Sequence, residues 1–431
     1  MFKLFMKDLF RQRKRFFLTS LAIAWGTISM VLFLAFGEGM KHSFRVGSAG
    51  LGESILIMGG SSTQKAYKGL GTGRRIRLES ADQNFIQQQI PEIESIAAEL
   101  KKSGVVIEHG DELATERVIG TYPAFEDLRT HYAVAGGRFI NEMDVKNQRR
   151  VIFLGNEIEA ELFGGMERSQ SFFNQKEVAA EDRPSVQETI GKTVLVGGVP
   201  FTVIGVMTKK NQTSMYGGPD SRHVVIPGST FQTLYGIRTL DRMIIKPAKV
   251  SQSEYVETRV RQVLSGKYQF DPTDERAVYC WDVIEQEQIM GNVMLGIQLF
   301  LGLVGAMTLC IAGGGVANIM YVIIRKRTRE IGLKMAIGAK RRNVLSTILI
   351  EALVVTLIGG LVGLPASWGI IEGYNAMPID NMALEFLGKP IMSMEVALGT
   401  IVFLGFVGLV AGFFPARKAA NLNPVEALRY E

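Results

Sequence analysis

Chemically reactive side chains are scarce in this sequence of 431 residues. It has two cysteines and four histidines, and the histidines (His42, His109, His131, His223) stand far apart. They lack the paired spacing that a metal site draws on, so they read as surface or turn residues and no metal site is expected. No HExxH or GxSxG pattern occurs. Two near misses fail on chemistry. Gly47-Ser48-Ala49-Gly50-Leu51-Gly52-Glu53-Ser54 has phosphate-loop spacing, but Glu53 stands where a lysine must meet phosphate. Ser62-Thr63-Gln64-Lys65 has acyl-enzyme spacing, but it lies in a Gly/Ser-rich stretch with no helix to hold the pair. No catalytic residue and no directly bound cofactor is therefore expected. Cys310 lies within a long apolar run and Cys280 outside it, so no intrachain disulfide is expected either.

The net charge of +6 is confined to short segments. Residues 1–15 carry +5, residues 325–342 carry +7 and the tail from Arg417 carries +1, which leaves the rest at −7. Each basic segment flanks an apolar run. That is the positive-inside pattern of a membrane protein, and it argues against a nucleic-acid surface.

Four apolar runs are long enough to span a bilayer. Residues 16–36 hold twenty-one residues without a charge, about 31 Å of helix. The run exceeds a signal-peptide core, and GEGMKHSF after it offers no small-residue cleavage site, so it reads as a retained span. Residues 293–324 hold thirty-two uncharged residues, about 48 Å, which predicts a helix that tilts or projects beyond the lipid. Further spans are expected at 343–371 and 396–416. Four spans put both termini on one side, and the basic segments assign that side to the cytoplasm. Gly359 with Gly363, Gly369 with Gly373, and Gly408 with Gly412 have the spacing of close helix packing. The run Gly313-Gly314-Gly315 fits either a bend or a bulky neighbour. Residues 1–15 read as an amphipathic helix on the inner leaflet, with Phe2, Phe5, Met6, Leu9 and Phe10 on one face.

Between the first two spans, residues 41–288 mix strand-like runs (54–58, 104–108, 113–119, 150–155, 193–196, 201–206) with helical ones (82–89, 156–163, 252–264). Gly197-Gly198 between two of the strands marks a hairpin. Residues 165–188 are polar and aperiodic and read as a loop insertion. The expected fold is membrane α-helical, with four transmembrane helices and a large α+β extracytoplasmic domain. That domain has two subdomains, one inserted into the other.

Residues 325–342, RKRTREIGLKMAIGAKRR, form a short connector with a second signal. Ile331, Met335 and Ala336 recur at helical spacing, and Gly338 reads as the C-terminal cap. A charged loop that only sets topology needs no apolar face. An apolar face on a cytoplasmic connector suits docking into a partner's groove.

Here the sequence strongly resembles the MacB/FtsX-type ABC transporter permeases. The resemblance is carried by Arg329-Glu330-Ile331-Gly332, by Gly338-Ala339 and by Ile350-Glu351-Ala352. It extends through Pro415-Ala416-Arg417-Lys418-Ala419-Ala420 and Pro424-Val425-Glu426-Ala427-Leu428-Arg429. Gly137-Arg138-Phe139, VIFLGNEIEAELFG and VPFTVIGVM match in the domain between the spans.

The resemblance implies a permease subunit in the bacterial inner membrane that catalyses nothing itself. ATP and magnesium would be bound by a separate cytoplasmic ATPase, which docks on Arg329, Glu330, Ile331, Gly332, Leu333, Lys334, Met335, Ala336, Gly338 and Ala339. A second permease, identical or paralogous, would complete a dimer in membrane lipid, and a periplasmic adaptor is a further candidate partner. ATP-driven closure would move the long second helix and so the outer domain, for export or extraction of a drug, peptide, lipid or lipoprotein. The alternative is an FtsX-like scaffold that activates an extracytoplasmic partner such as a cell-wall hydrolase. The intramembrane acid Glu351 either pairs with a basic residue of the connector or faces a wet cleft.

Overall fold

The computed structural model describes residues 13–164, 186–210, 212, 216–377 and 388–421. Most of the expected inner-leaflet helix at 1–15, most of the insertion at 165–188 and the tail from 422, with Pro424, Glu426 and Leu428, lie outside the described residues. The principal helices are α1 (Arg13–Ala49), α2 (Ala81–Gln89), α3 (Asn156–Gly164), α4 (Gly228–Tyr235), α5 (Ser253–Tyr268), α6 (Val283–Lys326), α7 (Thr328–Ala336), α8 (Arg341–Asn375) and α9 (Met394–Ala420). Nine strands lie between α1 and α6: β1 (Leu56–Gly60), β2 (Ile93–His109), β3 (Glu112–Thr121), β4 (Val151–Leu154), β5 (Thr193–Val196), β6 (Val199–Val206), β7 (His223–Pro227), β8 (Arg242–Pro247) and β9 (Val278–Asp282). The chain forms two compact units, one of residues 1–43 with 291–431 and one of residues 44–290.

In the first unit, α1, α6, α8 and α9 are each long and apolar enough to cross a membrane. With 44 residues, α6 is about 66 Å long and begins at Val283, ten residues before the predicted span at 293–324. It stays helical through Gly313–Gly315, and a Cβ on Gly313 would lie 2.5 Å from Val407 Cγ1. The glycine there admits a neighbour. Gly359 and Gly363 receive Ile23 and Thr27 of α1, while Gly408 and Gly412 receive Thr356 and Ala352 of α8. Gly369 and Gly373, expected to pack likewise, have open space instead. Between them, Ile371 is buried with Val31 and Ala35 of α1 and Val396 of α9, so the two glycines lie off the packed face of α8.

The second unit is built on β2. Its first half, Ile93–Glu99, pairs with β8 in a four-stranded antiparallel sheet ordered β2-β8-β1-β9. Its second half pairs with β3 and β5. The pairings β2–β3, β3–β7, β7–β4, β4–β6, β6–β5 and β5–β2 return to their start, so these six strands close a barrel. A barrel lobe is thus inserted into an α/β lobe, as the sequence predicts. Val256, Val260 and Leu264, four residues apart on α5, are fully buried and join Leu56, Met58, Met243 and Ile245 in the core of the α/β lobe. Each such side chain contributes about 1.5–3 kcal/mol by leaving water. In the barrel, Val194, Val196, Phe201 and Val203 alternate inward along β5 and β6. Gly197 and Gly198 make the expected hairpin turn at φ +57° and +80°.

A further expectation fails here. His131 and His223 are buried, at 1% and 3% exposure, and are not surface residues. They sit beside the buried carboxylate of Asp220, whose charge network uses the interior. Lys65 Nζ bonds Thr273, 2.7 Å to its hydroxyl, so Ser62 and Lys65 form no reactive pair.

Candidate coupling site

The connector folds as an elbow at the end of the first unit where α6 stops and α8 begins. Arg327 breaks α6 from α7, and α7 carries the short amphipathic stretch predicted from the sequence. Its end is chemically specified. Gly338 takes φ +100°, Gly338 N–H donates to Met335 O at 3.1 Å, and Ala339 N–H donates to Lys334 O at 2.9 Å. These two bonds are the Schellman pattern, which satisfies the last carbonyls of the helix.

The apolar face does not point where it was expected. Ile331 is buried in the core with Ile323, Ile324, Val344 and Ile348, and Met335 packs partly against the same cluster. Thr328 and Gly332 are buried with them. The surface α7 presents is different: Arg329, Glu330, Leu333 and Ala336 are exposed, and Ile337 follows at the cap. Leu333 is 54% exposed and Ile337 is 79% exposed. The reason is geometric. A nine-residue helix lying across two long helices must spend its apolar stripe on them, and only side chains off that stripe remain for another surface. Ile337 escaped the sequence-based site because it falls outside the helical repeat.

Glu351 of α8 is 4% exposed and pairs with Arg327, whose Nη1 donates to Oε1 at 3.1 Å and to Oε2 at 3.4 Å. Of the two readings left open for this acid, the pairing with a basic residue of the connector is the one present. The contact ties the start of α7 to the third span. Pro415 and Ala416 of α9 are buried, while Arg417 and Lys418 are exposed, with Lys418 Nζ 5.7 Å from the Tyr321 ring centre. Among the described residues no cluster of His, Cys, Asp and Glu has the arrangement to hold a metal ion.

Four membrane-length helices, an α+β domain carried between the first and second, and a basic amphipathic elbow between the second and third define a multi-pass inner-membrane protein of permease type. Comparison with known proteins agrees. The MacB-like periplasmic core domain family matches residues 16–263, and the FtsX-like permease C-terminal family matches residues 302–424. The chain belongs to the MacB/FtsX-type ABC transporter permeases. Its relatives include the pyoverdine export ATP-binding/permease protein PvdT of Pseudomonas putida, 30% identical over 97% of this chain and 58% of the relative. They also include the macrolide export ATP-binding/permease protein MacB of Bdellovibrio bacteriovorus, 27% identical over 96% of this chain and 59% of the relative. The chain therefore spans less than two thirds of the length of these relatives. Among solved structures, the periplasmic region of MacB from Actinobacillus actinomycetemcomitans aligns with TM-score 0.41 and 17% identity, over 56% of this chain and 95% of that one.

Proposed function

We propose that this chain is the non-catalytic permease subunit of an ABC exporter. A separate cytoplasmic ATPase, holding ATP and magnesium, would drive movement of the α+β domain on the outer face to export or extract a substrate. On this reading the elbow and both termini are cytoplasmic, and a second permease completes the assembly. The observation that carries the proposal is the outer surface of α7. Leu333 and Ile337 are large apolar side chains exposed beside Arg325, Lys326 and Arg329. Lipid can cover apolar side chains on the spans, but cations on the same short surface favour a protein groove with acidic rims. The relatives' names join an ATP-binding part to a permease part, which supports an ATPase as that partner.

The test is co-purification of the tagged full chain from its native membrane, comparing wild type with the double variant Leu333→Asp, Ile337→Asp. An ATPase that co-elutes with wild type and is lost from the variant is the expected result. An ATPase absent from both overturns the permease reading. One retained in the variant overturns the docking surface and moves it to the C-terminal tail.

A further inference from the structure

In the first unit, α6 and α9 meet at two levels. A Cβ on Gly313 would lie 2.5 Å from Val407 Cγ1 and 3.9 Å from Ala411 Cβ, while Lys418 Nζ lies 5.7 Å from the Tyr321 ring centre. Both helices therefore run the same way, toward the end where α6 meets the elbow. On α9, Val407, Ala411, Phe414 and Lys418 stand four, three and four residues apart, which is one helical face. That face is turned to α6, yet Phe414 is 63% exposed. On α6, Ile311, Gly314, Asn318, Tyr321 and Arg325 repeat at three and four residues, and all five are exposed. Among the described residues, a Cβ on Gly314 would meet nothing within 4 Å. The two helices thus touch at Gly313 and at Tyr321, and beside these contacts they leave a furrow floored by Gly314 and edged by Phe414.

The furrow changes character along its length. Ile311 is 77% exposed, as the lipid-facing side of a span should be. Asn318, about two turns on, is an exposed amide still within the uncharged run. An amide that faces hydrocarbon is costly unless a polar group meets it. One turn further stands Tyr321, with Lys418 against its ring, and the next turn brings Arg325. The carboxylates of these two helices, Glu285, Glu287 and Glu395, all stand at the opposite ends. Neither helix offers the two cations an acid to pair with.

This order is that of a phospholipid followed from head to tail. Cations and a phenol suit a phosphate at the membrane edge. The amide of Asn318 lies about 4.5 Å deeper than Tyr321 along the helix, at the depth of the ester carbonyls. Gly314 lies about 6 Å deeper again, where only hydrocarbon follows. A second copy of the chain suits the furrow less well. A two-fold axis along the membrane normal sets equal depths opposite each other, so a copy seated here would bring Arg325 and Lys418 against their own counterparts.

We propose that the furrow between α6 and α9 binds one anionic phospholipid of the leaflet next to the elbow. Lys418 and Arg325 hold its phosphate, Asn318 donates to an ester carbonyl, and one acyl chain lies over Gly314 against Phe414. Because the headgroup bridges a cation from each helix, lipid charge fastens the end of α6 to the end of α9. Only the crossing of a membrane by these helices is required, and no ATPase enters.

The test is native mass spectrometry of the full chain in detergent, titrated with phosphatidylglycerol or phosphatidylcholine of the same acyl chains. Each cation near a membrane surface favours an anionic lipid by about fivefold, so two should favour phosphatidylglycerol by about 25-fold. Lys418→Gln should cut that preference by about fivefold and leave phosphatidylcholine binding unchanged. Gly314→Leu fills the furrow where nothing else stands and should weaken both lipids alike. Equal binding of the two lipids by wild type would overturn the proposal, whether or not a variant folds. So would a preference that neither variant alters, which puts the lipid elsewhere. A lipid-free dimer that Gly314→Leu disrupts would also overturn it, by seating a second copy in the furrow. Leu333 and Ile337 are untouched in both variants, so failure here leaves the ATPase reading standing.

Discussion

Asp220 is the carboxylate on which the interior of the α+β domain depends. Arg129 Nη2 reaches both of its oxygens at 2.8 Å, Lys210 Nζ approaches at 2.8 Å, and the Arg129 and Asp220 side chains are each 1% exposed. The two cations hold its pKa well below the usual carboxylate range against the opposing effect of burial. Replacing it (Asp220→Ala) leaves both cations in place with their shared anion gone. Removing one partner of a buried pair typically costs about 3–5 kcal/mol, because the remaining charge has lost both water and counterion. At about 2–4 °C per kcal/mol for a domain of this size, the unfolding midpoint of residues 44–290 should fall by about 6–20 °C. The internal comparison is Glu94, which pairs with Lys246 at 3.0 Å while the two side chains remain 51% and 38% exposed. Glu94→Ala should cost about 0–1 kcal/mol, since water screens that pair. Thermal unfolding of the full chain in detergent, followed at Trp281, reads both. If Asp220→Ala costs no more than Glu94→Ala, the claim that burial makes this charge indispensable is wrong.

Other substitutions probe the membrane unit and the elbow. A Cβ on Gly412 would lie 2.5 Å from Ala352 Cβ, so Gly412→Leu should force α8 and α9 apart at about 1–3 kcal/mol, seen as a lower melting temperature in detergent. Gly369→Leu, with open space around it, should leave that temperature unchanged. Gly338→Val places a branched side chain at φ +100° and should cost about 1–3 kcal/mol, with fraying of α7 visible as faster amide exchange at Lys334–Ala336. Burial, joined by the nearby Glu257, pushes the Cys280 thiol up. Its alkylation by iodoacetamide at pH 8 should be at least about 10-fold slower in the native chain than in the unfolded one.

The membrane architecture could be read from the sequence because the hydrocarbon core imposes one length and one composition on every span. The start of α6 at Val283 was harder to see, since Glu285 and Glu287 end the uncharged run but are good helix formers. Within the α+β domain, the alternating strands β5 and β6 were legible, whereas β7 (HVVIP), β8 (RMIIKP) and β9 (VYCWD) were not. Such short runs, buried in β7 and most of β8 and half-buried in β9, have no period to distinguish strand from helix. For β2, polar residues such as Lys101 and Lys102 interrupt the pattern at the point where the strand changes lobes. The coupling site divides in the same way. Periodicity shows that α7 has an apolar face, but which neighbour takes that face depends on α6 and α8 and is a tertiary fact. The charge cluster was invisible, because Arg129 and Asp220 are ninety-one positions apart and nothing local marks either as buried.

The shared strand also orders events in time. Leu56–Met58 of β1 must meet Met243–Ile245 of β8, nearly two hundred residues later, before the α/β lobe has a core. Every pairing of the barrel lies between Leu100 and Pro227. Closing the longer loop carries the larger entropy cost, and during synthesis its far end does not yet exist. The barrel can therefore assemble while β1 and the first half of β2 are still waiting for their partner. In that interval those strands expose unpaired edges, and a chaperone or a stalled ribosome would find the chain most vulnerable there.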